Sequence, residues 1–235
     1  MNAINDDPLP QTSAADEHEE RVRQRQERIA AIQRDSAPVK AALVAAGVDT
    51  ADFGRSVNRP FPGVLEPARF DEERALPVLL EWLPKVENEA VKESMVRHLK
   101  VKQAKRIATE PLTREFLAAR SQPYQWAVGE TLAYVADKEQ FDTLVELAAD
   151  SWGHGGRGPL VGMLWRVKTP RADEVVRDAL DDPATARSAM SSLRRGLGNA
   201  SARPHIEPLT GHAHEWIQDA AKDHLRRIDR ALAGT

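Results

Sequence analysis

The chain has 235 residues, of which 41% are hydrophobic and 29% are charged, and its formal net charge is -3. These values are typical of a soluble protein with a real core, and they argue against a surface dominated by attraction to nucleic acid. The absence of cysteine excludes disulfides, thiolate metal sites and a cysteine nucleophile. The longest apolar run, Ala41 to Ala46, is too short to cross a bilayer, and the polar N-terminus is unlike a signal peptide, so we expect a cytoplasmic protein.

The first 35 residues are predicted to form a tail followed by a charged helix. Residues 1–15 combine prolines with small polar residues and show no periodicity, which predicts a disordered tail. In residues 16–35 the acidic residues precede the arginines, as the helix dipole favours, and several lie four residues apart. The apolar stripe is thin. This pattern favours a solvated helix over an arm that binds nucleic acid.

Residues 36–69 are predicted to cap the start of the array that follows. Ser36, followed by Pro38, predicts a helix start. A second short helix is expected over residues 49–58. The proline- and glycine-rich segment 59–67 is irregular, and we expect it to shield apolar surface at the open end of the array.

The segment from Gln125 to Ser151 is predicted to form two short amphipathic helices. Apolar residues with helical spacing share one face of the first helix, at Val128, Leu132 and Val135. Asp137 and Gln140 predict a capping box at the start of the second helix. Neither helix is long enough to be stable alone, so each is expected to pack its stripe on neighbours.

Similar pairs recur over residues 70–235, and two series of apolar residues show the same spacing of about 30 to 37 residues. The first series is Leu80, Leu117, Leu147, Leu180 and Leu209, and the second is Val96, Leu132, Leu164, Leu193 and Leu225. Helix starts are predicted at Asn88, Thr113, Thr169-Pro170 and Asp182-Pro183, and helix ends at Gly47, Gly196, Gly198 and Gly211. No segment alternates with the period of a strand. The chain is therefore predicted to be all-α, with about five antiparallel helix pairs.

Three segments carry a resemblance to a known family: ALPVLLEWLPKVENEAVKESMVRHL, QWAVGETLAYVADKEQFDTLVELAAD and TPRADEVVRDALDDPATARSAMSSL. Over residues 70–232 the chain resembles the HEAT-repeat family, especially short bacterial HEAT-repeat proteins. The resemblance implies a right-handed α-solenoid whose second helices line a concave surface, commonly used to bind proteins and less often nucleic acid. Only Asp182 and Arg187 come near the Asp and Arg positions of the family pattern, so its ladder between repeats is expected to be incomplete.

Two motifs contain residue types that are found in ligand sites. The glycine-rich segment Gly153–Gly158, with Arg157, would suit an anion at a helix N-terminus. No strand precedes it and no Gly-Lys-Ser/Thr ending follows, which favours a flexible loop. His212 and His214, with Glu215, have the residue types of a metal site, but no HExxH spacing exists. We therefore predict no metal and no cofactor.

Aromatic and basic residues predict the binding surface. The five tryptophans are either packed between repeats or serve as anchors for a partner. Residues 153–203 hold nine basic and five acidic residues, which favours an acidic protein or a phosphate backbone. The residues predicted to face the concave surface and bind a partner are Trp126, Glu130, Arg157, Trp165 and Arg194.

No catalytic constellation is present in the sequence: there is no GxSxG elbow and no pair of carboxylates can be singled out. The sequence therefore predicts a non-enzymatic scaffold or adaptor that binds a partner protein on its concave face. A nucleic-acid-binding protein resembling the HEAT-like DNA glycosylases is the alternative, and an immunity or antitoxin-type partner of a toxic enzyme is another.

Overall fold

The computed structural model describes residues 14–50, 53, 71–150 and 156–234. Within them the chain is all-helical, which confirms the predicted class, and no strand is present. The α-helices are α1 Ala14–Ala45, α2 Glu72–Trp82, α3 Glu89–His98, α4 Thr109–Ala118, α5 Gln122–Val135, α6 Phe141–Ala149, α7 Arg157–Met163, α8 Pro170–Asp178, α9 Ala186–Leu197, α10 Asn199–Ile206 and α11 Glu215–Ala233. Short 3₁₀ helices cover Leu83–Lys85, Lys102–Ala104, Lys138–Gln140, Leu164–Arg166 and Glu207–Gly211.

A single long helix, α1, replaces the two helices predicted around Ser36, so the predicted helix start is wrong. The Ser36 hydroxyl donates to the Gln33 carbonyl at 3.2 Å instead of capping a new helix. Pro38 lies inside α1, where it removes one backbone hydrogen bond. Val39 and Leu43 are fully buried, and α1 packs on α2 and α3. Continuing the helix brings these two side chains into the core, which offsets the lost hydrogen bond.

The predicted helix end at Gly47 is confirmed. Gly47 has φ +78°, a left-handed conformation that favours glycine. Its N–H donates to the Val44 carbonyl and the Val48 N–H donates to the Leu43 carbonyl, both at 2.9 Å. These two bonds form a Schellman motif, and the buried side chains of Val48 and Leu43 supply the apolar contact that accompanies it.

The helices after residue 70 fall into two sets. The second helices, α3, α5, α7, α9 and α11, pack on one another in that order. The first helices, α2, α4, α6, α8 and α10, pack mainly on the second helices: α4 on α5, α6 on α7, α8 on α9 and α10 on α11. Among the first helices, α6 also packs on α8. One continuous apolar core runs from Val39 in α1 to Ile228 in α11.

The capping box predicted at Asp137 is confirmed. The Asp137 carboxylate accepts from the backbone at the start of the 3₁₀ turn, and the Gln140 side chain accepts from the Asp137 N–H at 3.0 Å. The turn joins α5, a second helix, to α6, the first helix of the next pair. The contacts give this assignment, since α5 packs on α4 and α7 while α6 packs on α7 and α8.

Most of the apolar residues of the two predicted series are buried, but Leu117 is 65% exposed. The buried face of α4 carries Thr109, Leu112 and Phe116. Leu117 is one residue past that stripe, about 100° around the helix, so it points away from the core. The predicted helix start at Thr113 is also wrong, because α4 begins at Thr109.

Three other predicted helix boundaries are confirmed, whereas Gly196, predicted to end a helix, lies inside α9. Asn88 and Thr169 are N-caps whose side chains accept backbone hydrogen bonds, and Gly198, with φ +84°, ends α9. The predicted start at Asp182-Pro183 is wrong, because α9 begins at Ala186; the Asp182 carboxylate caps the preceding turn and accepts from the Ala184 N–H at 2.9 Å.

Several predictions concern residues outside the described part of the chain. Residues 1–13 of the predicted tail, most of the expected helix over 49–58, the segment 59–67 and Trp152 lie there. Residue 14 already belongs to α1, and Phe53 is buried with its ring stacked on His98 at 5.8 Å between centroids.

Candidate functional site

An open groove of ≈ 390 Å³ crosses three consecutive second helices. Its walls come from α5, from α7 with the 3₁₀ turn that follows, and from α9. The lining side chains that matter below are Glu130, Tyr134, Met163, Trp165, Arg166, Ser188 and Arg195. Glu130 and Trp165 are residues that the sequence predicted for a binding surface.

Glycines of α7 form the floor of the groove. Gly158 and Gly162 are four residues apart and share one face of the helix. A Cβ added at Gly158 would lie 2.8 Å from the Trp126 ring, so this glycine lets the tryptophan lie close against the α7 backbone. A Cβ at Gly162 would lie 3.7 Å from that of Ser188, which is ordinary contact. Both glycines therefore allow side chains of α5 and α9 to pack close to the α7 backbone.

A second pair of glycines brings α5 and α7 together beside the groove. A Cβ at Gly129 would lie only 2.4 Å from the Gly156 carbonyl oxygen. The buried Gln125 side chain links the same elements, since its amide donates to the Phe116 carbonyl and its oxygen accepts from the Gly156 N–H, both at 3.3 Å. The close approach of these helices fixes the spacing of the groove walls.

Three aromatic side chains around the groove are accessible: Trp126 is 40% exposed, Tyr134 39% and Trp165 36%. Trp126 and Trp165 were predicted site residues, and Tyr134 was missed. The other described tryptophans lie elsewhere. Trp82 is partly buried against the core with the Lys85 ammonium 5.2 Å from its ring, and Trp216 of α11 is 52% exposed beneath the Arg187 guanidinium.

The acidic end of the groove is neutralised. The Glu130 carboxylate lies 3.0 Å from the Lys100 ammonium and 3.7 Å from the Arg97 guanidinium. Both cations belong to the α3 side of the structure, and the three side chains are half-buried. Glu130 is therefore part of an ion-pair network rather than a free negative charge.

Arg166 is fixed at the end of α5. Its guanidinium donates to the Ala133 carbonyl at 2.9 Å and to the Ala136 carbonyl at 3.2 Å, and it lies over the Phe141 ring at 5.0 Å. These carbonyls have no partner inside the helix, so the arginine satisfies them and also complements the negative end of the helix dipole.

Arg157, predicted to bind a partner, is buried instead. Its guanidinium donates to the Ala148 carbonyl at 2.9 Å and to the Asp182 carboxylate at 3.4 Å. It thereby ties the start of α7 to the end of α6 and to the turn before α9. Because its donors are engaged inside the protein, Arg157 does not supply charge to the groove. Gly153–Gly155 of the predicted anion loop lie outside the described residues.

Arg194, the last predicted residue, is partly buried between α9 and α11. Its Nε donates to Asn199 Oδ1 at 3.0 Å, and its Nη1 lies 3.5 Å from Nδ1 of His224. Burial lowers the pKa of Arg194, and the positive charges of Arg227 and Arg195 lower it further. The guanidinium therefore sits in a positive field.

The neighbouring His224 is fully buried on α11. Burial lowers the pKa of His224 to about 4, and the charges of Arg194, Arg227 and Arg187 add to this shift, opposed by Asp223. The imidazole is therefore neutral at pH 7, and its Nε2 has no hydrogen-bond partner among the described residues. We call Arg194, Arg195 and Arg227 the arginine cluster.

His212 and His214, which have the residue type of metal ligands, form contacts within the protein. His212 Nδ1 accepts from the His214 N–H at 3.0 Å, and His212 Nε2 lies 3.7 Å from an Asp181 oxygen. In the described ranges, no group of three or more His, Asp or Glu side chains has the arrangement of a metal site.

Sequence reasoning missed Tyr134, Ser188 and Arg195 in the groove. The sequence feature that indicates the groove is the spacing of Gly158 and Gly162, since two glycines four residues apart open one face of a helix.

In comparisons with known proteins, the chain matches no family model, and no curated protein or solved structure is similar to it. Among the helices of the described residues, none combines the length and the apolar character that a membrane crossing requires.

Proposed function

We propose that the protein is a HEAT-like right-handed α-solenoid of about five helix pairs that binds a partner protein on its second-helix surface. The support for the solenoid is the order of contacts, because α3, α5, α7, α9 and α11 each pack on the next. Such neighbour-to-neighbour packing is typical of repeat proteins. A solenoid exposes one long surface made of equivalent helices, and the groove lies on that surface.

The observation that supports the binding function is a group of accessible aromatic side chains beside a groove that is partly lined by glycine. Trp126, Tyr134 and Trp165 are each more than a third exposed although the core buries most large apolar side chains. Exposed tryptophan and tyrosine clustered in a concavity mark interaction surfaces, where they give much contact area at little entropic cost. The groove is open and shallow, which suits an extended peptide segment better than an enclosed small molecule.

The proposed role is that of an adaptor without catalysis, since two ionisable groups of the groove, Glu130 and Arg166, are held in structural contacts. Glu130 pairs with Lys100 and Arg97, and Arg166 donates to backbone carbonyls.

Affinity capture with matched variants tests the proposal. Trp165→Ala removes an aromatic wall of the groove, whereas Leu117→Ala removes a more exposed apolar side chain from α4, a first helix. We expect the wild type and the Leu117→Ala variant to recover the same specific partner from a lysate of the source cells, and Trp165→Ala to lose it. Recovery of that partner by all three proteins in equal yield contradicts the proposal. Circular dichroism confirms that both variants are folded.

Nucleic acid is the second candidate partner, and one observation favours it: α9 carries three arginines and no acidic residue beside the exposed aromatics. Stacking platforms with arginines bind single strands in other proteins. A titration with single-stranded and duplex DNA at low salt tests this, since binding through phosphates must weaken steeply as salt is added.

A further inference from the structure

The groove is electrically uneven along its length. At the α5 end, the Glu130 carboxylate is neutralised by Lys100 and Arg97. At the α9 end, Arg195 lines the groove and is exposed, and within the described residues it forms no ion pair. One end of the groove is therefore close to neutral, and the other carries an unpaired positive charge.

Two further arginines extend this charge toward α11. Arg194 precedes Arg195 and is held in place by Asn199. Arg227 follows His224 by three residues on α11, so both lie on the face of that helix that meets Arg194. The three guanidinium groups repel one another, since the positive charges of Arg227 and Arg195 both lower the pKa of Arg194.

Asp223, the residue before His224 on α11, is already engaged by other arginines. Asp223 accepts from Arg187 at 3.1 Å and pairs with Arg226. No acidic residue lies on α9 itself. In the described part of the chain, neither Arg195 nor Arg227 has a carboxylate partner. The cluster thus costs electrostatic free energy in the free protein, and an anionic group placed there would relieve it.

The charges around the cluster distinguish between two kinds of polyanion. A nucleic acid needs a positive track that follows its backbone over many residues. Here the groove holds only two guanidinium groups, Arg166 and Arg195, without a carboxylate partner among the described residues, and α2, α4, α6 and α8 each hold more acidic than basic residues. Trp165, Tyr134 and Met163 line the rest of the groove. A short polymer with apolar and acidic side chains fits this combination.

We propose that the groove binds an acidic peptide segment, with carboxylates at the arginine cluster and apolar side chains against Trp165 and Tyr134. This inference rests on the proposed function and names the chemistry of the partner. Arg195 supplies the accessible charge-assisted hydrogen bonds, and Arg194 and Arg227 strengthen the field around it.

The test uses fluorescein-labelled peptides in which leucine alternates with glutamate, with glutamine or with lysine, and a single-stranded DNA of similar length. Binding is followed by fluorescence anisotropy at low and at high salt, with the full-length protein. The variants are Arg195→Gln in the groove and Arg114→Gln on α4, an exposed arginine whose loss changes the net charge equally. Trp165→Ala serves as the variant that tests the groove itself.

We expect the glutamate peptide to bind, the glutamine peptide to bind more weakly, and the lysine peptide to bind least. Arg195→Gln should weaken binding of the glutamate peptide about tenfold, as expected for one lost charge-assisted contact, and Arg114→Gln should leave it unchanged. High salt should reduce the difference between the wild type and Arg195→Gln, because screening weakens an exposed charge contact.

The outcomes separate this inference from the proposed function. Equal binding of the glutamate and glutamine peptides, lost only in Trp165→Ala, retains the groove as a binding site but overturns the acidic partner. Equal effects of Arg195→Gln and Arg114→Gln overturn it as well, and so does failure of the glutamate peptide to bind at low salt. If DNA binds more tightly than the glutamate peptide and depends on Arg195, the partner is a nucleic acid and the inference is wrong.

Discussion

Replacing Gly129 by alanine tests how closely α5 and α7 approach. The new Cβ would lie 2.4 Å from the Gly156 carbonyl oxygen and 3.3 Å from Cε2 of the Phe116 ring. Non-bonded heavy atoms prefer roughly 3.5 Å or more, so the first contact is too short by about 1 Å. The clashing atom belongs to the backbone, so no side-chain rotation relieves it, and the two helices must separate.

The magnitude follows from two opposing effects. Overpacking of this kind costs about 1–3 kcal/mol. Alanine in place of glycine within a helix returns about 1 kcal/mol of intrinsic propensity. The net loss is therefore about 0–2 kcal/mol, and since about 1 kcal/mol shifts the melting temperature of a protein of this size by roughly 2–4 °C, Tm should fall by up to about 8 °C.

Gly162→Ala in α7 is the matched control, because its new Cβ would meet the Ser188 Cβ at 3.7 Å, an ordinary contact. In this variant only the gain in helix propensity remains, so the free energy of unfolding should rise by up to about 1 kcal/mol. Thermal unfolding followed by circular dichroism and urea unfolding at 25 °C measure both variants. If Gly129→Ala is as stable as Gly162→Ala, the close packing of α5 on α7 is refuted.

Three further predictions concern stability. Because the pKa of His224 is lowered from 6.5 to about 4, the unfolded chain takes up a proton in this interval and the folded chain does not; stability should thus fall by about 3 kcal/mol from this site as pH drops from 6.5 to 4. Urea unfolding across that range should show a flatter dependence for His224→Leu, and equal slopes in the two proteins would refute the assignment. Tyr124→Phe removes a buried hydroxyl that donates to Glu115 at 2.6 Å, so unfolding in urea should show a loss of about 1.5–3 kcal/mol; no loss would show that this bond is dispensable. Thr169→Ala removes the N-cap of α8 and should cost about 1 kcal/mol in the same assay, whereas an unchanged midpoint would mean that solvent caps the helix equally well.

Features that depend on a few neighbouring residues could be predicted from the sequence. The capping box of Asp137 and Gln140, the N-caps Asn88 and Thr169, and the left-handed end at Gly47 are all present. Each depends on a side chain and backbone groups within a few positions, so the chemistry is readable without knowledge of the fold.

Features decided by packing between distant segments were missed. Pro38 marks a helix start in local terms, but burial of Val39 and Leu43 carries α1 through it. Leu117 fits the repeat spacing, but α4 uses the adjacent Phe116 for the core. A spacing argument over irregular repeats does not resolve a register difference of one residue, and that difference turns a side chain from the core to solvent.

The candidate site was predicted only in part, because it too depends on packing between distant segments. Glu130 and Trp165 line the groove, because Glu130 on α5 and Trp165 in the 3₁₀ turn after α7 lie on one surface. Arg157 is buried because the Ala148 carbonyl and Asp182 lie within its reach, which only the packed structure reveals. On α9 the prediction chose Arg194, whereas the adjacent Arg195 lines the groove.

Site-specific photo-crosslinking tests the groove as the binding surface most directly. Benzoylphenylalanine replaces Tyr134 in the groove in one protein and Leu117 on α4 in another, both exposed positions. After irradiation in the source cells, we predict a discrete crosslinked partner from position 134 and none from position 117, with acidic residues near the crosslinked site in the partner. Crosslinks from position 117 alone, or the same products from both positions, would contradict binding in the groove.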